Sequence, residues 1–253
     1  MNVVFTNDAY VSVKAPRDHW YSDVFVKRDF HEKIFRRIHT YLLFRGVIRK
    51  NLLDSGSWIG DNTIPWSLNI TKDRKVFAID PSVDNIAFTN KVAELNKITN
   101  VITITSALSD KEETIGTDED IHHANFSKGG SLFTISANTL DYFYSRGDFY
   151  DIDFMHLDVE NMEYKVILGG EKLISETTPI ITFEQHLEKE NYMEIVRHLQ
   201  AKKYTVFVIE EVLPGCYHDC RNIISFPERI MKEYPKIKED IIKHIGYGCL
   251  RLL

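Results

Sequence analysis

Two stretches of the sequence gather groups that could move a proton or hold a cation. They are MHLDVEN at residues 155–161 and ITFEQH at residues 181–186. Each ends an apolar run of strand character, and side chains alternate along a strand. His156 and Asp158 then share a face with Phe154, while Glu184 and His186 share one with Thr182. If the two strands are neighbours, Asp158 and Glu184 project at one rim, with Glu160 and His186 in the loops just beyond. Carboxylates so placed favour a cationic reacting centre. A general base drawn from Asp158, Glu160, His156, Glu184 or His186 is worth roughly 10²–10⁴-fold in rate. Plainer roles stand beside these: Asp158 caps the next helix, Glu160 pairs with a lysine, and His156 is a hydrogen-bonded core residue. Asp158, Glu184 and His186 would also suit a divalent cation. No paired carboxylates or tight ligand spacing enforce one, so no metal is expected.

The second candidate is the loop LLDSGSWIGDN, residues 52–62, where a strand ends and a helix begins. In open α/β sheets ligands bind at such strand ends. Asp54, Gly56 and Gly60 make D-x-G-x-x-x-G, with Ser57, Trp58, Asp61 and Asn62 filling the turn. This is not the G-x-G-x-x-G pyrophosphate cradle. Asp80 ends the strand KVFAID before Pro81, where a carboxylate can accept hydrogen bonds from both hydroxyls of a ribose. A lone aspartate there is often only a helix cap; with the glycine loop upstream, the ribose role is the better reading. Ser106 and Ala107, at the end of the next strand, lie where an adenine edge would sit. Asp110 either bonds that edge or ends the turn.

These groups need a scaffold of alternating strands and helices. Strands are expected at 50–54, 75–80, 101–106, 152–157, 179–184, 204–211 and 221–226, and helices at 61–69, 83–96, 138–144, 162–173, 188–201 and 229–244. Pro65 fits the first turn of its helix, and Gly169-Gly170 interrupts the 162–173 segment. Alternation of this kind means a parallel sheet with helices on both faces. The last two strands have only a loop between them and pair antiparallel at the sheet edge. Ahead of the sheet, apolar residues recur at helical spacing from Phe25 to Phe44, one amphipathic helix whose Lys33, Arg36 and Arg37 lie on its solvated side. The stretch 110–130, with His122 and His123, reads as loop or short β structure, either an acceptor lid or plain solvated loop. The whole is one domain, 1–253. It has an extension over 1–49, a core over 50–226 and a helical tail over 227–253.

The composition excludes some partners. Hydrophobic residues make up 43%, charged residues 27%, and the net charge is −6. Without a clustered basic face, nucleic acid is not expected. No run of about 18 apolar residues spans a bilayer, and the N-terminus does not read as a signal peptide. Three cysteines build no disulfide framework, which fits a reducing, cytoplasmic setting. Cys216 to Cys220 looks like half a metal site, but no second ligand pair accompanies it.

Together the segments LLDSGSWIGDNT, VFAIDPSVDN, SALSD, NTLDYF, IDFMHLDVENMEYKVILGGEKLI and PIITFEQH resemble the FkbM-type methyltransferases. They run in order over residues 51–186. The D-V-E stretch leading into a helix that ends Leu-Gly-Gly is the most distinctive. The resemblance implies a Rossmann-like α/β methyltransferase fold, a mostly parallel seven-stranded sheet closed by an antiparallel hairpin. It also implies S-adenosylmethionine as cofactor and a hydroxyl acceptor, often on a sugar or glycan. Four positions depart from the family pattern. Ser57-Trp58 stands for Ala-Asn, His156 for a lysine, and Asn161 for the glycine after D-V-E. His156 could then be a base the family does not normally use. A non-catalytic Rossmann-like module that binds a nucleotide or partner stays open, as does a homodimer contact through the first 50 residues. The missing G-x-G-x-x-G argues against a nicotinamide-dependent dehydrogenase.

Overall fold

A computed structural model describes residues 3–6, 12–16, 19–28, 32–118, 130–188, 192–213, 218–246 and 248–253. A hairpin, β1 (Val3–Thr6) and β2 (Ser12–Ala15), precedes α1 (Trp20–Arg28) and α2 (Lys33–Phe44). Alternation then begins with β3 (Asn51–Ser55), α3 (Thr63–Asn69), β4 (Val76–Asp80), α4 (Val83–Leu95) and β5 (Val101–Thr105). A small sheet follows, of β6 (Ala107–Leu108), β7 (Glu113–Thr117) and β8 (Phe133–Asn138). The chain returns through α5 (Leu140–Arg146), β9 (Ile152–Leu157), α6 (Glu163–Leu168), α7 (Glu171–Thr177), β10 (Ile180–His186) and α8 (Tyr192–Ala201). It closes with β11 (Tyr204–Ile209), β12 (Cys220–Pro227), α9 (Glu228–Glu233), α10 (Ile237–Ile245) and β13 (Leu250–Leu252).

The main sheet has eight strands in the order β13-β11-β12-β10-β9-β3-β4-β5. From β5 to β10 all neighbours are parallel, and β12 runs antiparallel to both β10 and β11. The strands β3, β4 and β9 are buried throughout, as strands covered on both faces must be. Pleating sends alternate residues to two cores. Leu53, Phe77, Met155 and Ile181 meet Leu140, Val166, Leu173 and Val196 on one face. Leu52, Val76, Phe154 and Ile180 meet Phe35, Ile38, Leu42, Trp66 and Ile230 on the other. The chain builds β3, β4 and β5 in one direction, then crosses back to lay β9 on the other side of β3. Crevices open at such reversals of strand order, so the ends of β3 and β9 are where a ligand is expected.

Four expectations are corrected. The helix from Phe25 to Phe44 is two helices, with Glu32 in the left-handed region at φ 53 ahead of α2. They serve different cores: Phe25 packs with Ile59, Ile64 and Phe88, whereas Phe35, Ile38 and Leu42 pack on the sheet. The helix expected over 229–244 breaks at Pro235, because the residue before a proline is driven out of helical geometry. The tail is not purely helical, since β13 pairs with β11 and supplies the eighth strand. The hairpin strand β12 is internal, inserted between β10 and β11. Residues 119–129, which include His122 and His123, and 214–217, which include Cys216, lie outside the described residues. Cys220 and Cys249 are buried. Among the described residues no helix is long and apolar enough to cross a membrane.

Candidate active site at the carboxyl ends of the strands

The loop after β3 is folded by contacts that only its residue types permit. Gly56 sits at φ 78, and a Cβ there would lie 1.8 Å from the Asp158 carbonyl oxygen. The glycine therefore lets the end of β3 press against the end of β9, where Asp158 N–H donates to the Ser55 carbonyl at 2.9 Å. Gly60, at φ 76, is closed against the Thr89 side chain in the same way. The N–H groups of Gly56 and Ser57 both donate to the Ile79 carbonyl, tying the loop to β4. Trp58 takes φ 44, a costly conformation for a bulky residue. Its N–H is held by Asp80 Oδ2 at 2.8 Å. The Ser57 hydroxyl is buried in this turn with no hydrogen-bond partner among the described residues.

Asp80 ends β4 with its carboxylate turned into the same junction. Besides Trp58, it accepts from Ser82 N–H at 2.9 Å and from Asn85 Nδ2 at 3.0 Å. Pro81 follows, and Ser82 caps α4 by accepting from Asn85 N–H. Ser106 N–H donates to the Asp80 carbonyl, and the Ser106 hydroxyl turns to the Ala107 carbonyl at 2.7 Å. Asp54 is thus the penultimate residue of β3, Asp80 the last of β4, and Ser106 follows β5, while Ala107 is not at a strand end but begins β6. Asp110 is exposed and accepts from the Ser109 hydroxyl.

Buried carboxylates dominate this rim. Asp54, 1% exposed, accepts from the Thr63 hydroxyl. Burial pushes its pKa up to about 8, with Asp61, Glu32 and Asp80 adding to the rise and the Thr63 bond opposing it. Arg36 does not lie on a solvated helix face as expected; it is 3% exposed and points inward. Its guanidinium donates to Asp61 Oδ2 at 2.9 Å and Asn62 Oδ1 at 3.1 Å, and Glu32 lies 3.9 Å away. Asn222 on β12 donates to Glu32 at 2.8 Å. Asp61 and Asn62, expected to hold cofactor, therefore also fasten α2 over the loop. Glu211 accepts from the Ile34 and Phe35 N–H groups and anchors the start of that helix.

The chemical end is only partly as expected. Leu157 of β9 pairs with Phe183 of β10, so Asp158 and Glu184 leave adjacent strands at the same level. Asp158 and Glu184 are half-buried and Glu160 is exposed. Glu160 and Asn161 take φ 52 and 71, so the position where the family carries glycine needs the left-handed region, which asparagine tolerates best. His186 is not in a loop but is the last residue of β10, opposite Cys220. Its Nδ1 lies 3.1 Å from Asp219 Oδ1. Glu184 accepts from the Cys220 thiol at 3.0 Å. His156 is 2% exposed, stacked on Phe35 and bonded through Nδ1 to the Thr182 hydroxyl at 3.0 Å. That is the placement of a core histidine. Glu163, which the sequence did not single out, is buried. It accepts from Val159 N–H at 3.1 Å and Gln185 Nε2 at 2.6 Å, locking the loop after β9 to β10. Burial raises its pKa to about 7. Among the described residues no three His, Cys, Asp or Glu side chains are grouped to hold a metal ion.

The residues present fit S-adenosylmethionine. The glycine turn keeps side chains out of the end of β3, the Ser57 hydroxyl is a buried group without a partner among the described residues, and the donor set is rich in carboxylates suited to a cationic ligand. Solved structures share the fold. Methyltransferase FkbM from Methylobacillus flagellatus KT superimposes with a TM-score of 0.53 at 14% identity, over 80% of this chain and 55% of that one. This chain therefore spans about half the length of that protein. An rRNA methylase from Streptococcus thermophilus superimposes with a TM-score of 0.50 at 13% identity, over 78% of this chain and 97% of its own. No curated protein matches the sequence significantly. The family described as Methyltransferase FkbM domain matches residues 59–206, more than half of the chain. That span holds Gly60 at the end of the glycine turn, Asp80, the D-V-E loop and the Gly169-Gly170 break, and the chain belongs to the FkbM methyltransferase family.

Proposed function

We propose that the chain is an S-adenosylmethionine-dependent O-methyltransferase whose acceptor is a hydroxyl of a sugar or glycan. The observation that carries the cofactor half is the meeting of the glycine turn and Asp80 at the point where strand order reverses, ringed by Glu32, Asp54 and Asp61 with Arg36 among them. Bound there, the cofactor supplies an electrophilic methyl group on a sulfonium. Asp80 would accept from the ribose hydroxyls, and Glu32 and Asp61 would offset the positive charge, while burial keeps Asp54 protonated at neutral pH. The acceptor half rests on the family and on the rim. A hydroxyl that becomes an ether must lose its proton, and His186 takes it at Nε2 while Asp219 holds Nδ1. Asp158, just past β9, lies level with Glu184 on β10, two residues before His186.

Calorimetry with S-adenosylhomocysteine tests the cofactor half. Micromolar binding by the wild type, weakened about 100-fold or more in Asp80→Ala, is expected. No heat with the wild type would leave a non-catalytic module as the better reading. For the acceptor half, His186→Ala should lower kcat on a sugar acceptor about 100-fold and leave S-adenosylhomocysteine affinity unchanged. Transfer to amines but not to hydroxyls would overturn the O-methyl assignment.

A further inference from the structure

The first 28 residues lie outside the family match at 59–206, yet they reach the ribose carboxylate. The Tyr21 hydroxyl, on α1, donates to Asn85 Oδ1 at 2.7 Å, and Asn85 Nδ2 donates to Asp80 Oδ1 at 3.0 Å. Tyr21, Asn85 and Asp80 are 1%, 2% and 5% exposed, so the chain of bonds is shielded from water. Packing fixes the donor as well. Tyr21 and Phe25 sit in one apolar cluster with Ile59 of the glycine turn, Ile64 of α3 and Phe88 of α4. At the far end of α4, Lys14 N–H donates to Asn96 Oδ1 and Asn96 Nδ2 donates to the Lys14 carbonyl.

We propose that the N-terminal segment is a working part of the cofactor site, with Tyr21 and Asn85 as positioning residues for Asp80. An amide can rotate to present either its oxygen or its nitrogen. By occupying the oxygen, Tyr21 commits Asn85 to turn its NH₂ toward Asp80. The carboxylate is then held in one orientation before ligand arrives, and the cost of ordering it is met by folding rather than by binding. This inference rests on the reading of Asp80 as the ribose acceptor.

The test compares adenosine with 2′,3′-dideoxyadenosine, competed against S-adenosylhomocysteine on the full chain. The wild type should prefer adenosine. Tyr21→Phe should cut that preference roughly fivefold, the size of one neutral hydrogen bond, while the dideoxy affinity stays constant. Asn85→Ala should cut it about tenfold or more. Asn96→Ala, which loosens the other end of the segment, should lower the melting temperature without changing the preference. Equal weakening of both nucleosides in Tyr21→Phe, or a preference that falls with melting temperature across all three variants, overturns the positioning role. So does an unchanged preference in Tyr21→Phe. A wild type that does not distinguish the two nucleosides instead overturns the reading of Asp80 itself.

Discussion

Asp54 holds its proton in the folded protein at neutral pH, because burial beside Asp61, Glu32 and Asp80 pushes its pKa up to about 8. The unfolded chain ionises the same group near the ordinary carboxylate value of about 3.9. Between those values the folded state binds more protons than the unfolded one. Stability contributed by Asp54 is therefore complete at low pH and falls as pH rises toward 8. Asp54→Asn removes the titration and keeps an acceptor for the Thr63 hydroxyl. Urea midpoints at pH 5, 7 and 9 should show the variant gaining on the wild type as pH rises, then holding level above about 8. A constant difference across the series would mean that Asp54 stays ionised in the fold. The sequence exposed this residue because it stands in one contiguous motif with Gly56 and Gly60. Thr63, Arg36 and Glu163 were not legible, since their roles depend on segments that only the fold brings together. Arg36 in particular follows the helical charge pattern of a solvated residue, and nothing local reveals that its face is turned inward.

At the scale of elements, the Ile-Leu-Gly-Gly run is a joint rather than a binding feature. Gly169 ends α6 with ordinary helical φ, yet a Cβ on it would lie 2.2 Å from the Ser109 carbonyl oxygen. Asp141, from the NTLDYF segment, completes the joint. Its two carboxylate oxygens accept from Lys172 N–H and Leu173 N–H at the start of α7. Gly169→Ala must move backbone to fit, so it should cost about 2 kcal/mol or more of stability, well above a typical surface change. Thermal melts check this. A variant that melts with the wild type would show that the contact at Ser109 yields freely. The break at this joint could be read from the paired glycines, as the long strands could be read from apolar runs. The division between α1 and α2 could not. A hydrophobic period reports that residues are buried but not which core receives them, and these two helices face different ones. The strand β13 is too short to show any period.

The molecule is polar end to end. Where the strands enter the sheet, charges are matched in structural pairs: Asp153, 4% exposed, accepts from Arg49 N–H and from the Arg229 guanidinium, which also donates to the Thr178 carbonyl. Where they leave, among the described residues Glu32, Asp61 and Asp80 gather around the glycine turn with Arg36 as their cation and the buried Asp54 beside them. A uniform need for stability would not separate the ends in this way; a cationic ligand at the exit end accounts for it. The two ends should then respond oppositely to loss of a carboxylate. Asp153→Ala leaves Arg229 and the Arg49 N–H without their acceptor, which costs roughly 1–3 kcal/mol. It should lower the melting temperature by several degrees and leave S-adenosylhomocysteine affinity intact. Asp80→Asn keeps the shape at the exit end but removes the charge. It should melt within a few degrees of the wild type while binding at least tenfold more weakly. Paired melts and isotherms on both variants decide the matter. If each substitution moved stability and affinity together, the polarity would be a property of folding alone.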